Sequence, residues 1–592
     1  METITQSILQ AGNELFQLQW ESKQIQFQET RKEFEGDTTL VVFPLAKAAG
    51  KNPEELGNAL GVYLQEKIDF VDGFNVVKGF LNVRFSDQYW LTALDQMLSA
   101  ENWGWAKPNS KPRVMVEYSS PNTNKPLHLG HLRNNFLGFA VAELLKANGH
   151  AVTRVQIIND RGIHICKSMW AWKNLGNGET PQSAGIKGDK LVGKYYVEFD
   201  KTYKSQIALL IAEGKSKEEA EIQAPCMMAA QEMLRAWEAG DEEVVQLWKT
   251  MNGWVYEGFN ETYKKMGVAF DKLYFESQTY LKGRDEVLKG LEKGVFYQKE
   301  DGSIWIDLTE EGLDQKALLR KDGTAMYITQ DIGTAILRFE DYPDTISQIY
   351  TVGNEQEYHF KVLFKVLKKL GWEQADACHH LSYGMVELPA GKMKSREGTV
   401  VDADDLMEEM RDTAQSVSEE QGKLTGLAED EKEKVYEAIG MSALKYFLLR
   451  VDPKKNMMFN PEESIDFNGN TGPFVQYGYV RTQAIRRKAA DAGIQMVGEK
   501  VKVLNASERE LIKVLYQCPS IIDSAALQYD PSIVANFAYD VVRHFNTFYQ
   551  SCSILREEDV TVRSLRMQLC ELTGQCVQSS MGILGIQMPE RM

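Results

Sequence analysis

The segment 114–131, Val-Met-Val-Glu-Tyr-Ser-Ser-Pro-Asn-Thr-Asn-Lys-Pro-Leu-His-Leu-Gly-His, holds the densest set of residues able to do chemistry. His128 and His131 are three residues apart, so at the start of a helix both imidazoles can point at one anion and donate hydrogen bonds to it. Gly130 lacks a Cβ, which leaves room for a flat base or ribose against the backbone. Lys125 can add a positive charge for the same phosphates. The segment therefore predicts a nucleotide-phosphate site.

The flanking residues predict the elements that position these histidines. The apolar run Val114–Val116 predicts a strand, and Ala151–Ile158 predicts the next one. Gly149 ends the segment between them, which has helical spacing of apolar residues. The histidines thus lie in the first turn of a helix within a βαβ unit, where free N–H groups and the positive end of the helix dipole favour a phosphate. The apolar face of that helix is expected to hold Leu132, Phe136, Phe139 or Ala140, and Leu144.

Two other interpretations of the histidine pair remain open. The residues could simply cap a helix, with both imidazoles in solvent. They could also form half of a metal site, although no third ligand lies nearby in the sequence.

A second group of cations lies far downstream. His379–Met385 is a predicted strand, and the basic loop 389–398 follows it. Lys392, Lys394 and Arg396 place three cations within five residues, which suits a mobile clamp on a charged leaving group. The alternative is a solvated basic loop on an acidic protein.

These two segments resemble the signatures of class I aminoacyl-tRNA synthetases. His128-Leu-Gly-His131 resembles the "HIGH" signature, and Lys392-Met-Lys-Ser-Arg396 resembles the "KMSKS" loop. Ser395 stands where that loop has its second lysine, and the resemblance implies that either Lys394 or Lys125 compensates. Resemblance to arginyl-tRNA synthetases in particular is carried by Ser119–His128, Tyr327–Asp331, Val352–His359 and Pro589–Met592.

The resemblance implies a pocket for arginine. Carboxylates suit a planar guanidinium because they accept two parallel N–H bonds. Glu117 ends the first predicted strand, where ligands of parallel sheets gather, and Tyr327 and Asp331 are four residues apart on one helix face. By resemblance, Glu117 and Asp331 grip the guanidinium and Tyr327 lines its pocket, while Asn122 and Gln356 hold the α-amino or carboxylate end. Each residue taken singly could be an ordinary cap or surface group.

The resemblance also implies the reaction and its cofactors. Arginine and ATP would give arginyl-adenylate and pyrophosphate, and the arginyl group would then pass to the 3′ end of tRNA(Arg), with release of AMP. Mg²⁺ would arrive with ATP, and no tightly bound protein metal is expected. The expected catalytic residues are His128, His131, Lys125, Lys392 and Lys394, and ATP is expected to contact Leu129, Gly130, Met393 and Ser395 as well as both histidines.

Composition limits the class of protein. The chain has 592 residues, which predicts roughly three to five domains. Its net charge of −17, from 67 basic and 84 acidic residues, argues against a nucleic-acid partner unless the basic residues are clustered. They are clustered at Lys445, Arg450, Lys454 and Lys455, and again at Arg481, Arg486, Arg487 and Lys488. A local basic stripe on an acidic body can still bind RNA.

Other features of the composition predict a cytoplasmic protein without a membrane partner. No apolar run approaches the roughly 20 residues of a membrane helix. The N-terminal residues have neither a basic start nor a hydrophobic core, so no secretion signal is expected. The seven cysteines form no Cys-x-x-Cys pair, which suits a reducing compartment. The resemblance further implies a monomer.

The expected fold class is α/β multidomain: a Rossmann-like parallel-sheet catalytic domain, a small α+β N-terminal domain and an all-α C-terminal domain. By resemblance the N-terminal domain binds tRNA and the C-terminal domain is of the anticodon-binding DALR type. Within the latter, Tyr477, Tyr479 and Arg481 are expected to offer stacking faces and a cation to RNA bases, or else the tyrosines are core residues of a bundle. The predicted boundaries are 1–110, 111–400 with a helical insertion at about 168–274, a helical connection at 401–465, and 466–592.

Two rival functions share part of this pattern. A small-molecule nucleotidyltransferase would use the same histidine signature but has no use for the terminal domains. A catalytically silent RNA-binding relative should have lost signature residues, whereas His128, Gly130, His131, Asp331 and Gln356 are all present. The sequence therefore predicts ATP-dependent ligation of arginine to tRNA.

Overall fold

The computed structural model of the protein describes residues 1–31, 33–387, 401–420, 424, 426–497 and 500–592. The chain forms two compact units, each built from three segments. The first unit comprises Met1–Trp103, Ile485–Gln517 and Arg543–Thr573, and the second comprises Gly104–Ala484, Cys518–Val542 and Gly574–Met592.

The first unit begins with a small α+β fold around an antiparallel sheet of strand order β1-β2-β4-β3. Lys78 and Gly79 join its last two strands in a tight turn with φ of 51° and 77°, the backbone that a two-residue hairpin requires. Gly61 lets a helix lie directly on the sheet, because a Cβ there would come within 2.3 Å of the Phe74 ring. The elements are α1 (Glu2–Phe16), β1 (Phe27–Gln28), β2 (Thr38–Val41), α2 (Phe43–Ala49), α3 (Pro53–Lys67), β3 (Val71–Val77), β4 (Phe80–Phe85) and α4 (Asp87–Ser99).

A buried carboxylate links this fold to a helix from the far end of the chain, within the same unit. The Asp37 side chain is only 2% exposed and lies 3.0 Å from both Arg509 Nη2 and Lys513 Nζ. The backbone N–H of Phe85 donates to the same carboxylate at 2.7 Å. Because the charge is paired and hydrogen-bonded, its burial is tolerated.

The second unit is organised by a five-stranded parallel sheet of order β12-β11-β5-β6-β7. Its central strand β5 carries Val114, Met115 and Val116, which are at most 4% exposed, as expected for a strand covered on both faces. After β5 the chain adds β6 and β7 on one side of that strand, and it later adds β11 and β12 on the other side. The strand order therefore reverses between β5 and β11, where ligands of such sheets bind.

The elements of this sheet and its crossovers agree with the predicted alternation. The predicted strand Ala151–Ile158 begins one residue earlier, and His379–Met385 forms a shorter strand. The elements are β5 (Lys111–Glu117), α5 (Leu129–Ala147), β6 (His150–Ile158), β7 (Lys272–Phe275), α12 (Glu276–Glu292), β8 (Tyr297–Gln298), β9 (Ile304–Ile306), β10 (Lys316–Leu319), α13 (Tyr327–Asp341), β11 (Thr345–Gly353), α14 (Glu357–Lys369), β12 (His379–Tyr383) and β13 (Val386–Glu387).

A helical stretch separates β6 from β7. Its buried side chains include Leu191, Tyr195 and Phe199, which point into a core of their own. Gly258 allows the two longest helices to touch, since a Cβ there would come within 2.3 Å of the buried Asp189 carboxylate. The helices are α6 (Ile163–Leu175), α7 (Pro181–Ala184), α8 (Gly188–Ala212), α9 (Lys217–Gln223), α10 (Pro225–Glu238) and α11 (Glu242–Met266).

The rest of the described chain is almost entirely helical. One short strand, β14, pairs in parallel with β13. Helices α18, α21 and α22 each contribute residues to both units. The elements are α15 (Ala403–Glu420), α16 (Glu429–Leu449), β14 (Met457–Met458), α17 (Pro461–Ser464), α18 (Gly472–Asp491), α19 (Ala506–Tyr516), α20 (Cys518–Gln528), α21 (Pro531–Ser551) and α22 (Val560–Ile583).

Among the described residues, no helix combines the length and apolar character needed to cross a bilayer. All seven cysteines are free thiols.

Candidate active site

The two signature histidines form a reciprocal cap at the start of α5. His128 Nδ1 accepts a hydrogen bond from the backbone N–H of Gly130 at 3.1 Å. His131 Nδ1 accepts one from the backbone N–H of His128, also at 3.1 Å. The ring centroids are 4.0 Å apart. The hydrogen bonds of a helix cap are thus present and explain the orientation of both rings, but the imidazoles are partly buried and not in solvent as the capping interpretation required.

This cap fixes the chemistry that each imidazole can offer. Because both Nδ1 atoms accept, each ring carries its proton on Nε2. Burial, assisted by the charge of Lys125, lowers the pKa of His128 to about 4. Burial also holds the pKa of His131 well below its usual value, with His128 and Lys125 acting in the same direction. The histidines are therefore neutral hydrogen-bond donors at pH 7 and add no positive charge to this site.

The chain that follows the second signature loop returns to the first signature. The backbone N–H of Leu129 donates to the carbonyl of Val401 at 3.3 Å, and that of Ala403 donates to the carbonyl of Leu127 at 2.9 Å. His128 and Asp402 form an antiparallel bridge between these two pairs. The structure therefore brings together segments that lie more than 270 residues apart.

The residues of the second loop predicted to act on ATP are Lys392, Met393, Lys394 and Ser395. All four lie outside the described residues.

The loop between β5 and α5 has an unusual backbone. Ser119 and Ser120 have φ of 80° and 45°, in the left-handed region that non-glycine residues seldom adopt. The side-chain carbonyl of Asn134 accepts from the Ser119 N–H at 2.5 Å, and Asn135 Nδ2 donates to the Ser119 hydroxyl at 3.2 Å. Two side chains of helix α5 thus hold the strained turn in place. Backbone strain of this kind is typical of functional loops.

Glu117 lies at the carboxyl end of β5, as predicted, but it already has a cationic partner. Its carboxylate pairs with Arg338, whose side chain is 1% exposed, and it also accepts from the Ser120 hydroxyl at 3.0 Å. Arg338 lies over the rings of Tyr274 and Tyr350. A bound arginine would therefore share the Glu117 carboxylate with the guanidinium of Arg338. The sequence analysis did not anticipate this pair.

Asp331 and Tyr327 lie on the first turns of α13. The side chain of Asp331 is 42% exposed, and its Oδ2 accepts from His359 Nε2 at 2.6 Å. Tyr327 is 78% exposed, so its ring is free to meet a ligand. Glu117 and Asp331 both act on the Tyr350 hydroxyl, and together with burial, the main cause, they raise its pKa.

Asn122 and Gln356 are exposed and follow neighbouring strands of the same sheet. Asn122 bridges to Asn159 beyond the end of β6, and Gln356 ends a short helical turn directly after β11. Both are placed at the carboxyl edge of the sheet on which Glu117 also lies.

Sequence reasoning missed Glu276, the first residue of α12 and the one that follows β7. Burial, together with the Asp160 and Asp331 carboxylates, raises its pKa to about 7 against the opposing effect of Arg161. The Gln330 side chain is hydrogen-bonded to it. The short apolar run Leu273–Phe275 before Glu276 was the signal, because a carboxylate directly after a strand of this sheet lies at its binding edge.

Asp160 anchors the start of the helix that carries Glu276. Its carboxylate accepts from the Ser277 N–H at 2.8 Å, from the Ser277 hydroxyl at 2.7 Å and from the Tyr256 hydroxyl at 3.1 Å. Its backbone carbonyl accepts from Trp248 Nε1 at 2.6 Å. The insertion helix α11 and the carboxyl edge of the sheet thus meet at one buried residue.

Comparison with known proteins decides the family. The catalytic domain described as "tRNA synthetases class I (R), catalytic domain" matches residues 93–460, the "Arginyl tRNA synthetase N terminal domain" matches 2–85, and the "DALR anticodon binding domain" matches 475–592. The arginine–tRNA ligase of Flavobacterium psychrophilum is 55% identical over 100% of this chain and 99% of its own length. That of Bacteroides thetaiotaomicron is 54% identical over the same shares.

The chain belongs to the arginyl-tRNA synthetase family.

Solved structures agree with this fold. The Thermus thermophilus arginyl-tRNA synthetase superposes with a TM-score of 0.79 at 24% identity, covering 100% of both chains. The Plasmodium falciparum arginyl-tRNA synthetase gives a TM-score of 0.76 at 19% identity, covering 100% of this chain and 98% of its own. The predicted fold class is confirmed. The predicted reaction, ligation of arginine to tRNA, is confirmed by the whole-length curated relatives.

Within this family member, the residues predicted to bind RNA bases have unequal environments. Arg481 stacks over the Tyr477 ring at 5.0 Å, and both side chains are partly exposed. Tyr479 is 5% exposed, so it has no face on which a base could stack, and this corrects the prediction for that residue. It belongs instead to the core of α18, the alternative that the sequence left open.

Lys445 also departs from the predicted basic stripe. It is buried, and its Nζ donates to the carbonyl of Gly585 at 2.5 Å. Burial lowers its pKa to about 7. This lysine of α16 is hydrogen-bonded to the C-terminal segment and is not part of an RNA-binding surface.

Proposed function

We propose that the carboxyl edge of the parallel sheet binds free arginine through a set of carboxylates from different elements. Asp331 and Glu276 would accept the guanidinium N–H groups, and Glu117 would share its carboxylate between the ligand and Arg338. The exposed ring of Tyr327 would cover the ligand's aliphatic stem. Two observations support this proposal. Asp331 on α13 acts on the carboxyl of Glu276 on α12, and Asp331 and Glu117 of β5 both act on the Tyr350 hydroxyl.

Asn122 and Gln356 would hold the α-amino and carboxylate end of arginine. Both are exposed amides next to the point where the strand order reverses. Their donors and acceptors are hydrated in the empty site and are available to a ligand.

Activation would occur at the tip of α5. An oxygen of the arginine carboxylate attacks the α-phosphorus of ATP, the bond to the bridging oxygen breaks, and pyrophosphate leaves with the electron pair. His128 and His131 donate from Nε2 to the phosphate oxygens, and Lys125, Lys392 and Lys394 follow the leaving group. A ribose hydroxyl of the tRNA then attacks the arginyl carbonyl carbon, and AMP departs. No covalent enzyme intermediate is needed.

Mg²⁺ would enter with ATP, because phosphate oxygens and water are its usual ligands. Among the described residues there is no group of three or more histidine, cysteine or acidic side chains arranged to hold a metal ion.

The partner would be tRNA(Arg), held by the N-terminal domain and by the helical C-terminal part, where Tyr477 and Arg481 offer a stacked pair to an unstacked base. We further propose that the protein acts as a cytoplasmic monomer. We also propose that the domains are divided at residues 110, 400 and 465.

The test is aminoacylation of a total tRNA pool with each amino acid in turn. Charging with arginine alone is the expected result. Charging with a different amino acid, or with none by folded protein, would overturn the proposal.

A further inference from the structure

A cavity of about 270 Å³ lies between the first signature loop and helix α8. Its wall carries three lysines and one signature histidine. The residues that matter here are Lys125, His128, Lys190, Gly193, Lys194 and Asp402.

Helix α8 packs directly against the first signature loop at Gly193. A Cβ on Gly193 would come within 2.7 Å of Pro126 Cδ and 3.5 Å of Lys125 Cα. Lys190 and Lys194 are four residues apart, so they lie on one face of α8. The absence of a side chain at 193 therefore brings two ammonium groups to the cavity that His128 borders.

Each of these lysines is held by carboxylates in an ion pair with one exposed partner. Lys190, whose side chain is 30% exposed, lies with its Nζ 2.6 Å from Asp405, which is 65% exposed, and 3.6 Å from Asp402, which is 13% exposed. Lys194 Nζ, on a side chain that is 48% exposed, lies 2.8 Å from Glu179, which is 27% exposed. Because water reaches each pair from one side, the pairs contribute modest free energy and both ammonium groups can turn to a phosphate. Bonds from ammonium to phosphate oxygens are charge-assisted and stronger.

The phosphates of ATP need positively charged partners, and few of the described residues at the signature site carry a positive charge. Both histidines are neutral donors, and the second signature loop has Ser395 where a lysine is expected. The only other described lysine that borders this cavity is Lys125.

We propose that Lys190 and Lys194 bind the pyrophosphate that leaves ATP, so that the helical insertion supplies cations in place of the lysine missing from the signature loop. This inference rests on the proposed function. As the bond between the α-phosphorus and the bridging oxygen breaks, negative charge accumulates on the pyrophosphate. The two ammonium groups neutralise that charge as Lys190 turns away from Asp405 and Lys194 turns away from Glu179, which keeps its hydrogen bond from the Tyr195 hydroxyl.

The test is arginine-dependent exchange of labelled pyrophosphate into ATP with tRNA present, comparing Lys190→Met, Lys194→Met and the double variant with wild type. The matched control is Lys201→Met, which alters an exposed lysine on the same helix that pairs with Glu198. The KM for pyrophosphate should rise about tenfold in each single variant and about 50-fold in the double variant. The KM for arginine and the behaviour of Lys201→Met should stay within about twofold of wild type. Asp405→Asn should lower the KM for pyrophosphate, because it removes the charge of the nearer of the two carboxylates that hold Lys190.

Three results would overturn the inference. One is an unchanged KM for pyrophosphate in a double variant that unfolds at the wild-type temperature. Another is an equal rise of KM in Lys201→Met. The third is a rise of the KM for tRNA without one for pyrophosphate, since the lysines would then bind the phosphates of the tRNA backbone. Absence of arginine-dependent exchange in the wild-type protein would instead contradict the proposed function.

Discussion

The two ends of the active site hold their charges in opposite ways. At the carboxylate end, Glu117 is buried and paired with the buried Arg338, and burial raises the pKa of Glu276. At the phosphate end, the histidines are neutral and the lysines of α8 form ion pairs that each have one exposed partner. The first end is preorganised for one small ligand, whereas the second can receive and release a highly charged group.

This difference has an energetic consequence. Removing Arg338 leaves the buried Glu117 carboxylate without its cation, which destabilises the fold. Substitutions of the α8 lysines change the affinity for a leaving group and little else. Three predictions test the contrast, and each single lysine variant should have a smaller effect than the first two.

The largest effect is expected from Arg338→Met, which leaves the Glu117 carboxylate buried without its cation. The free energy of unfolding should fall by about 3–5 kcal/mol, measured by urea denaturation. Arg113→Met is the control, because Arg113, on the central strand β5 of the same sheet, pairs with Asp344, whose side chain is 63% exposed, and it should cost at most about 1 kcal/mol. Similar losses in both variants would remove the distinction between buried and exposed pairs.

Asp331→Asn should weaken the use of arginine without affecting ATP. Loss of one charged acceptor of the guanidinium predicts a rise of about 30- to 100-fold in the KM for arginine. Asp341→Asn, at the other end of α13 and bonded to the Tyr274 hydroxyl at 2.9 Å, should stay close to wild type. Equal changes in the KM values for arginine and ATP would place the guanidinium elsewhere.

Glu276 should make arginine binding depend on pH. Its pKa of about 7 in the empty site means that the carboxyl is largely protonated below pH 7, whereas a guanidinium binds the ionised form. The affinity for arginine should therefore fall as pH drops below 7, by at most about tenfold per pH unit, and should level off above about pH 8. Titration calorimetry at several pH values measures this.

The groups that face Glu276 are Asp160, Arg161 and Asp331, with His359 bonded to the last. Glu276→Gln removes the titrating carboxyl but leaves these neighbours in place, so it should flatten the pH profile. A slope that persists in this variant would assign the titration to another group.

The parts of the site that depend on local pattern were predictable. The βαβ unit around His128 follows from apolar spacing and from Gly149, and Glu117 follows from its place at the end of an apolar strand. The pairing of Glu117 with Arg338 was not predictable, because it joins residues 221 positions apart through packing that no local pattern encodes. The tautomers of the histidines likewise depend on backbone N–H groups that only the folded turn positions.

The remaining errors arose where burial decides the role of a residue. Tyr479 and Lys445 have the side chains that RNA binding would require, and both are buried. On a helix that contributes to two packed units, a tyrosine faces the core as readily as the solvent, so type and spacing alone cannot separate the two.

The most direct test of the central claim is a structure of the protein bound to arginine and a non-hydrolysable ATP analogue. The account predicts the guanidinium carbon within about 4 Å of carboxylate oxygens of both Asp331 and Glu276, with the triphosphate at the Nε2 atoms of His128 and His131. A guanidinium bound away from those two carboxylates, with Glu117 and Arg338 undisturbed, would contradict it.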